Sequence, residues 1–168
     1  MSSLLKQVQD SPADALWDEL DKVIAVMLGV EGTDTFMCPM APMVDREANT
    51  IWFFTRKDND RFATVADGVA AKICLTNEGD HFWACINGRV MKQVNPDVIE
   101  RFWSPMVEAW YEGGIKDDNI LLLAFQPEMA EISCSTKSTL RFGWEIAKAN
   151  LKGEEKPDLG VQTRVRLG

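Results

Sequence analysis

T-I-W-F-F-T-R-K-D-N-D-R, residues 50–61, is the most informative stretch of the chain. Its apolar run through Phe54 reads as a β-strand, which ends on the hydroxyl of Thr55 and enters a polar turn. The turn carries an amide at Asn59 and a cation at Arg61. A strand end, a hydroxyl and a cation spaced over about six residues can converge on one phosphate group. Asp58 and Asp60 would repel a dianion, so they are expected to face solvent. Upstream, Phe36 to Val44 reads as a second strand, in which Pro39 and Pro42 cannot donate ladder hydrogen bonds. Such a strand belongs at a sheet edge.

Working outward, Ser11 is expected to cap a helix that has Pro12 in its first position, with Leu16, Trp17, Leu20 and Ile24 on one apolar face. A buried strand follows over 25–28, and Glu31-Gly32-Thr33-Asp34 turns the chain. After the Arg61 turn come a short helix with Phe62 and Val65, a strand over 70–76, and a strand over 82–93 bent at Gly88. Asn95-Pro96 and Pro105 open two further helices. Strands over 120–125 and 129–134 are separated by Gln126-Pro127-Glu128, and a helix spans 139–151. These seven strands with helices inserted at two places predict a mainly β fold with peripheral helices, an antiparallel barrel that hides its edges. The expected organisation is one domain over residues 1–151 and a polar, partly mobile tail over 152–168.

Composition narrows the function. A chain of 168 residues buries a full core, and a net charge of −8 disfavours nucleic acid and anionic membranes. The apolar runs are far shorter than a membrane span, and the N-terminus lacks a signal-peptide pattern, so a cytoplasmic protein is expected. Cysteines at 38, 74, 85 and 134 lack paired spacing, and His81 is the lone histidine. No metal site is therefore expected, no disulfide in a reducing compartment, and no histidine-dependent hydrolase centre.

The order C-P-M-A (38–41), I-W-F-F-T (51–55), N-D-R (59–61) and W-S-P-M-V-E-A-W (103–110) followed by G-G resembles the general stress protein 26 family. These are small relatives of pyridoxamine 5′-phosphate oxidase with an FMN-binding split β-barrel. The likeness runs from about Leu16 to Ile132, and K-P-D-L-G (156–160) also fits. It implies a homodimer with FMN in clefts between subunits. Cys38, Pro39 and Met40 would lie along the flavin edge, Phe53, Phe54 and Thr55 would form the adjacent strand, and Asn59 and Arg61 would approach the phosphate.

The family usually carries Arg at position 38, Ser at 59 and Lys at 61. Arg61 keeps a cation, whereas Cys38 removes one, which implies weakened or lost flavin binding. A flavin supplies its own redox chemistry and requires no catalytic histidine. The resemblance thus implies a flavin-dependent oxidoreductase acting on a small substrate, distinct from pyridoxamine 5′-phosphate oxidase itself. A flavin-sequestering module and a structural dimer without cofactor are the alternatives.

Overall fold

A computed structural model of the chain describes residues 3–32, 34–152 and 159–168. Two helices, α1 (Ser3–Asp10) and α2 (Pro12–Leu20), precede strand β1 (Val26–Val30). The chain then forms β2 (Cys38–Met40), β3 (Met43–Asp45), β4 (Thr50–Arg56), helix α3 (Asp60–Ala63), β5 (Val69–Asn77) and β6 (Phe82–Gln93). Helices α4 (Pro96–Phe102) and α5 (Pro105–Glu108) lead to β7 (Ile120–Ser135), α6 (Thr139–Lys152) and β8 (Gly160–Arg166).

Every strand pairing is antiparallel, and seven strands follow the order β2-β1-β5-β6-β7-β4-β3, with β8 paired to β7. The outermost strands, β2 and β3, are consecutive in sequence and joined by Ala41-Pro42 alone. In a flat seven-stranded sheet they would lie roughly 29 Å apart. The link from Met40 to Met43 spans at most about 11 Å. The sheet must therefore curl until its edges meet, giving a barrel split along the β2/β3 seam. The expected edge strand over 36–44 is thus two edge strands on opposite sides of the seam, and Pro39 and Pro42 withhold two ladder donors there.

Strand β4 is buried on both faces. Ile51 and Phe53 enter the barrel core with Ile73, Ile86, Phe125 and Ile132, and α1 and α2 add Leu5, Val8, Leu16 and Leu20 to that core. Trp52 faces a second core formed by Val98, Ile99, Val107, Tyr111 and Leu122, with Phe54 packed against it. Burial on both faces explains why T-I-W-F-F-T shows no polar alternation. The cap residues act as their types dictate: Asn95 accepts from Val98 N at 3.2 Å and Ser104 from Val107 N at 3.3 Å, each ahead of a proline.

Several expectations need correcting. Ser11 makes no side-chain cap; it is the junction of α1 and α2, with its N–H donating to Gln7 O at 2.7 Å. Helix α2 stops at Leu20, which leaves Ile24 exposed and not on the buried face. Residues 120–125 and 129–134 belong to one strand, because a bulge absorbs the interruption: Gly88 faces Pro127 and Asn87 faces Met129, with Glu128 unpaired in the ladder. The first half of β7 pairs with β4 and the second half with β8. Residues 160–166 of the expected tail therefore join the sheet. Thr33 of the expected turn and residues 156–158 of K-P-D-L-G lie outside the described residues.

Gly88 is where the β6–β7 register shifts, and the close approach of β7 there leaves no room for a side chain. A Cβ there would collide with Gln126 O and meet Phe125 Cζ at 2.7 Å. Gly88→Ala is expected to lower stability by about 1–3 kcal/mol, read as a lower urea midpoint. An unchanged midpoint would show that the bulge accommodates a side chain.

Candidate functional site

The β2/β3 seam opens into a cavity of about 480 Å³. One wall comes from the seam itself, with Pro39, Met40, Ala41 and Met43. The opposite wall is the end of β4 and its turn, with Phe54, Thr55, Arg56 and Asn59. Helix α5 and the residues after it add Met106, Val107, Trp110 and Tyr111, while Ile24 and Ala25 stand at the approach to β1. The walls are mainly apolar, with polar atoms gathered at the strand end.

Of the anticipated residues, Pro39, Met40, Phe54, Thr55 and Asn59 share this cavity. Phe53 is fully enclosed in the barrel core, because its side chain takes the opposite face of β4 from Phe54. Cys38 and Arg61 are not among the lining residues, and the Arg61 charge acts on the Cys38 thiol. Arg61 Nη1 donates to Phe36 O at 2.6 Å, which holds the guanidinium at the start of β2. Burial pushes the Cys38 thiol above its ordinary value, and the Arg61 charge offsets part of that rise. Position 38 is therefore an uncharged thiol near a cation.

Asn59 has a local task that the sequence did not reveal. Its Oδ1 accepts from Arg61 N at 3.1 Å, capping α3, and its Nδ2 donates to Thr55 Oγ1 at 3.1 Å. Thr55 accepts that bond and keeps its own hydroxyl proton for donation. Asp58 and Asp60 are exposed, as expected from their charge.

The sequence reading missed Arg56 and Tyr111. Arg56 follows Thr55 directly, one residue past the expected strand end. Its guanidinium makes a two-point contact with Asp58, at 2.9 and 3.0 Å, and donates to Trp110 O at 3.2 Å. Arg56, then Asn119, holds the Asp58 carboxyl at about 2, below the usual carboxylate range. Tyr111, the only tyrosine, follows W-S-P-M-V-E-A-W immediately, which was the available signal. Its hydroxyl donates to Thr55 O at 2.6 Å, and burial pushes the phenol up to about 12. Phe54, Trp103 and Tyr111 pack edge to face or tilted, at centroid distances of 6.2, 6.5 and 5.9 Å. Phe54 and Tyr111 of this cluster line the cavity.

A second hollow, of about 420 Å³, lies near Lys57, Ile99, Ile115 and Asp118. It contains none of the anticipated residues. Among the described residues, no group of three His, Cys, Asp or Glu side chains is arranged to hold a metal. No helix there is long and apolar enough to cross a membrane.

A family model described as "Pyridoxamine 5'-phosphate oxidase like" matches residues 11–158. A general stress protein 26 from Jannaschia sp. CCS1 is 34% identical with a TM-score of 0.73, the match covering 89% of this chain and 94% of that one. A general stress FMN/FAD binding protein from Xanthomonas citri is 34% identical with a TM-score of 0.68, covering 73% and 88%. A general stress family protein from Xanthomonas campestris pv. campestris is 32% identical with a TM-score of 0.69, covering 82% and 93%. No curated protein matches the chain.

Two measurements check the site geometry. Tyr111→Phe removes the bond to Thr55 O and is expected to cost about 1 kcal/mol in urea denaturation; unchanged stability would show that solvent replaces the bond. In carboxyl NMR, Asp58 should titrate near 2 and move toward its ordinary value in Arg56→Gln. An unmoved titration would contradict the two-point contact.

Proposed function

The chain belongs to the pyridoxamine 5′-phosphate oxidase-like family, and we propose that it binds FMN in the seam cavity. In this reading it is a cytoplasmic homodimer of the general stress protein type, acting as a flavin-dependent oxidoreductase on a small substrate. The observation that carries the reading is the meeting of Pro39, Met40, Phe54, Thr55 and Asn59 around one cavity. These residues come from two segments that the sequence separates. The Xanthomonas citri relative, described as FMN/FAD binding, adds support at 34% identity.

The residues fit the cofactor in type. Met40, Met43, Phe54, Met106 and Trp110 offer apolar surface for a flat ring, and Thr55 offers a hydroxyl donor. Arg61 spends one N–H on Phe36 O, and its remaining donors suit a phosphate. Cys38 brings no charge. Relative to an arginine at that position, the loss of one charge-assisted contact costs about 1.5–3 kcal/mol, or one to two decades in affinity. Weak binding is the expected consequence.

Bound flavin would supply the electron-transfer chemistry. The chain's own residues would orient the ring against the Phe54–Trp103–Tyr111 cluster and shield it from water. Tyr111 is a poor acid–base candidate, since its proton is engaged by Thr55 O and its pKa lies near 12. Ile24, Met106 and Trp110 line the cavity yet are 82%, 59% and 73% exposed. Covering them with a second subunit would complete the enclosure.

Fluorescence titration with FMN tests the proposal. Arg61→Ala should raise Kd by one to two decades, and Cys38→Arg should lower it by a similar factor; two unchanged constants would remove the phosphate assignment. Stopped-flow mixing with nicotinamide donors then distinguishes a reductase from a flavin-sequestering module. Reduction by none of them would favour the module.

A further inference from the structure

Cys74 and Cys85 are eleven positions apart in sequence, but the β5–β6 ladder sets them directly opposite each other. Their sulfurs lie 3.9 Å apart. Directly opposed residues in an antiparallel ladder have Cα atoms about 4.5–5.5 Å apart. That spacing lies inside the range a disulfide spans, about 4.4–6.8 Å. Both side chains are half-buried, on the face of the sheet opposite to the core residues Ile73, Leu75, Ala84 and Ile86. The sulfurs are thus reachable from solvent, while the backbone on either side is held by β1 and β7.

The other thiols are placed differently. Cys38 faces Leu28 across its ladder, and Cys134 faces Phe82 and Val161 and is buried. Neither has a cysteine opposite it. The row containing the pair runs Pro39, Met27, Cys74, Cys85, Glu131, Arg164 across five ladders. Arg164 pairs with Glu131 at 2.6 Å and takes up part of the negative charge beside Cys85.

We propose that Cys74 and Cys85 form a two-thiol redox site that hydrogen peroxide closes into a reversible cross-strand disulfide. One thiolate attacks a peroxide oxygen, the O–O bond breaks, and a sulfenic acid forms with release of water once a proton is taken up. The second thiol then attacks the sulfenic sulfur, giving the S–S bond and expelling a second water. Two thiols lose two protons and two electrons, and one peroxide becomes two waters. Closure starts from a backbone spacing that the ladder already sets.

The groups around the pair tune its rate. Burial, then the neighbouring Cys74, pushes the Cys85 thiol up; Lys72 acts in the opposite direction and Glu131 in the same one. The reactive thiolate is therefore scarce at neutral pH, and closure should accelerate as pH rises.

The test is peroxide treatment of the full-length reduced protein, then denaturation, alkylation, intact mass and peptide mapping. The expected result is that two of the four thiols escape alkylation, with the mass lower by two hydrogens before labelling. Mapping should recover a Cys74–Cys85 cross-linked peptide, and dithiothreitol should restore all four thiols. Cys38→Ser should retain the cross-link, and Cys74→Ser should lose it and accumulate a singly oxidised Cys85. Four alkylated thiols after treatment, or a cross-link through Cys38 or Cys134, would overturn the proposal.

Discussion

The two-residue link Ala41-Pro42 forces the sheet to close on itself. It joins the two outermost strands of a seven-stranded path, and a chain that short can reach only if the sheet rolls up. Rolling leaves a seam that is closed in space but unpaired in hydrogen bonds. Pro39 and Pro42 suit that place because neither has an N–H to leave unsatisfied. The seam is the part of the barrel where backbone pairing gives way to a cavity. Fold and candidate site thus share one geometric cause.

Strand β4 connects the seam to the helical layer. Its alternate residues supply two cores, so Phe53 is committed to the barrel while Phe54, next to it, forms cavity wall. The polar turn after β4 is stiffened by local bonds. Asn59 holds both Thr55 and α3, and Arg56 is locked between Asp58 and Trp110 O. Arg61, one turn further on, is tied to Phe36 O ahead of β2. The Tyr111 hydroxyl ties α5's segment to the strand end.

Much of this was legible from residue types. The run T-I-W-F-F-T, the proline-bearing edge, the cap at Asn95 and the helix start at Pro105 each have a local cause that sequence displays. The split of 36–44 was not legible, since each half forms an edge strand and only the long-range pairing separates them. The continuity of β7 was hidden by Gln126-Pro127-Glu128, a turn-like string that a bulge opposite Gly88 accommodates. Residues 160–166 carry alternating polar and apolar types but read as tail, because the half-exposed edge they cover is set by β7. At the site, Phe53 and Phe54 look equivalent in sequence and are separated by strand parity. Arg56 and Tyr111 each lie one residue beyond the runs F-F-T and W-S-P-M-V-E-A-W.

In the proposed reading, the seam cavity receives the flavin ring. Methyl-labelled methionine NMR during FMN titration tests it most directly, because Met40, Met43 and Met106 all line the cavity. Ring-current shifts of these three methyls should saturate together with flavin fluorescence. Saturable flavin binding that leaves all three unmoved would contradict that reading.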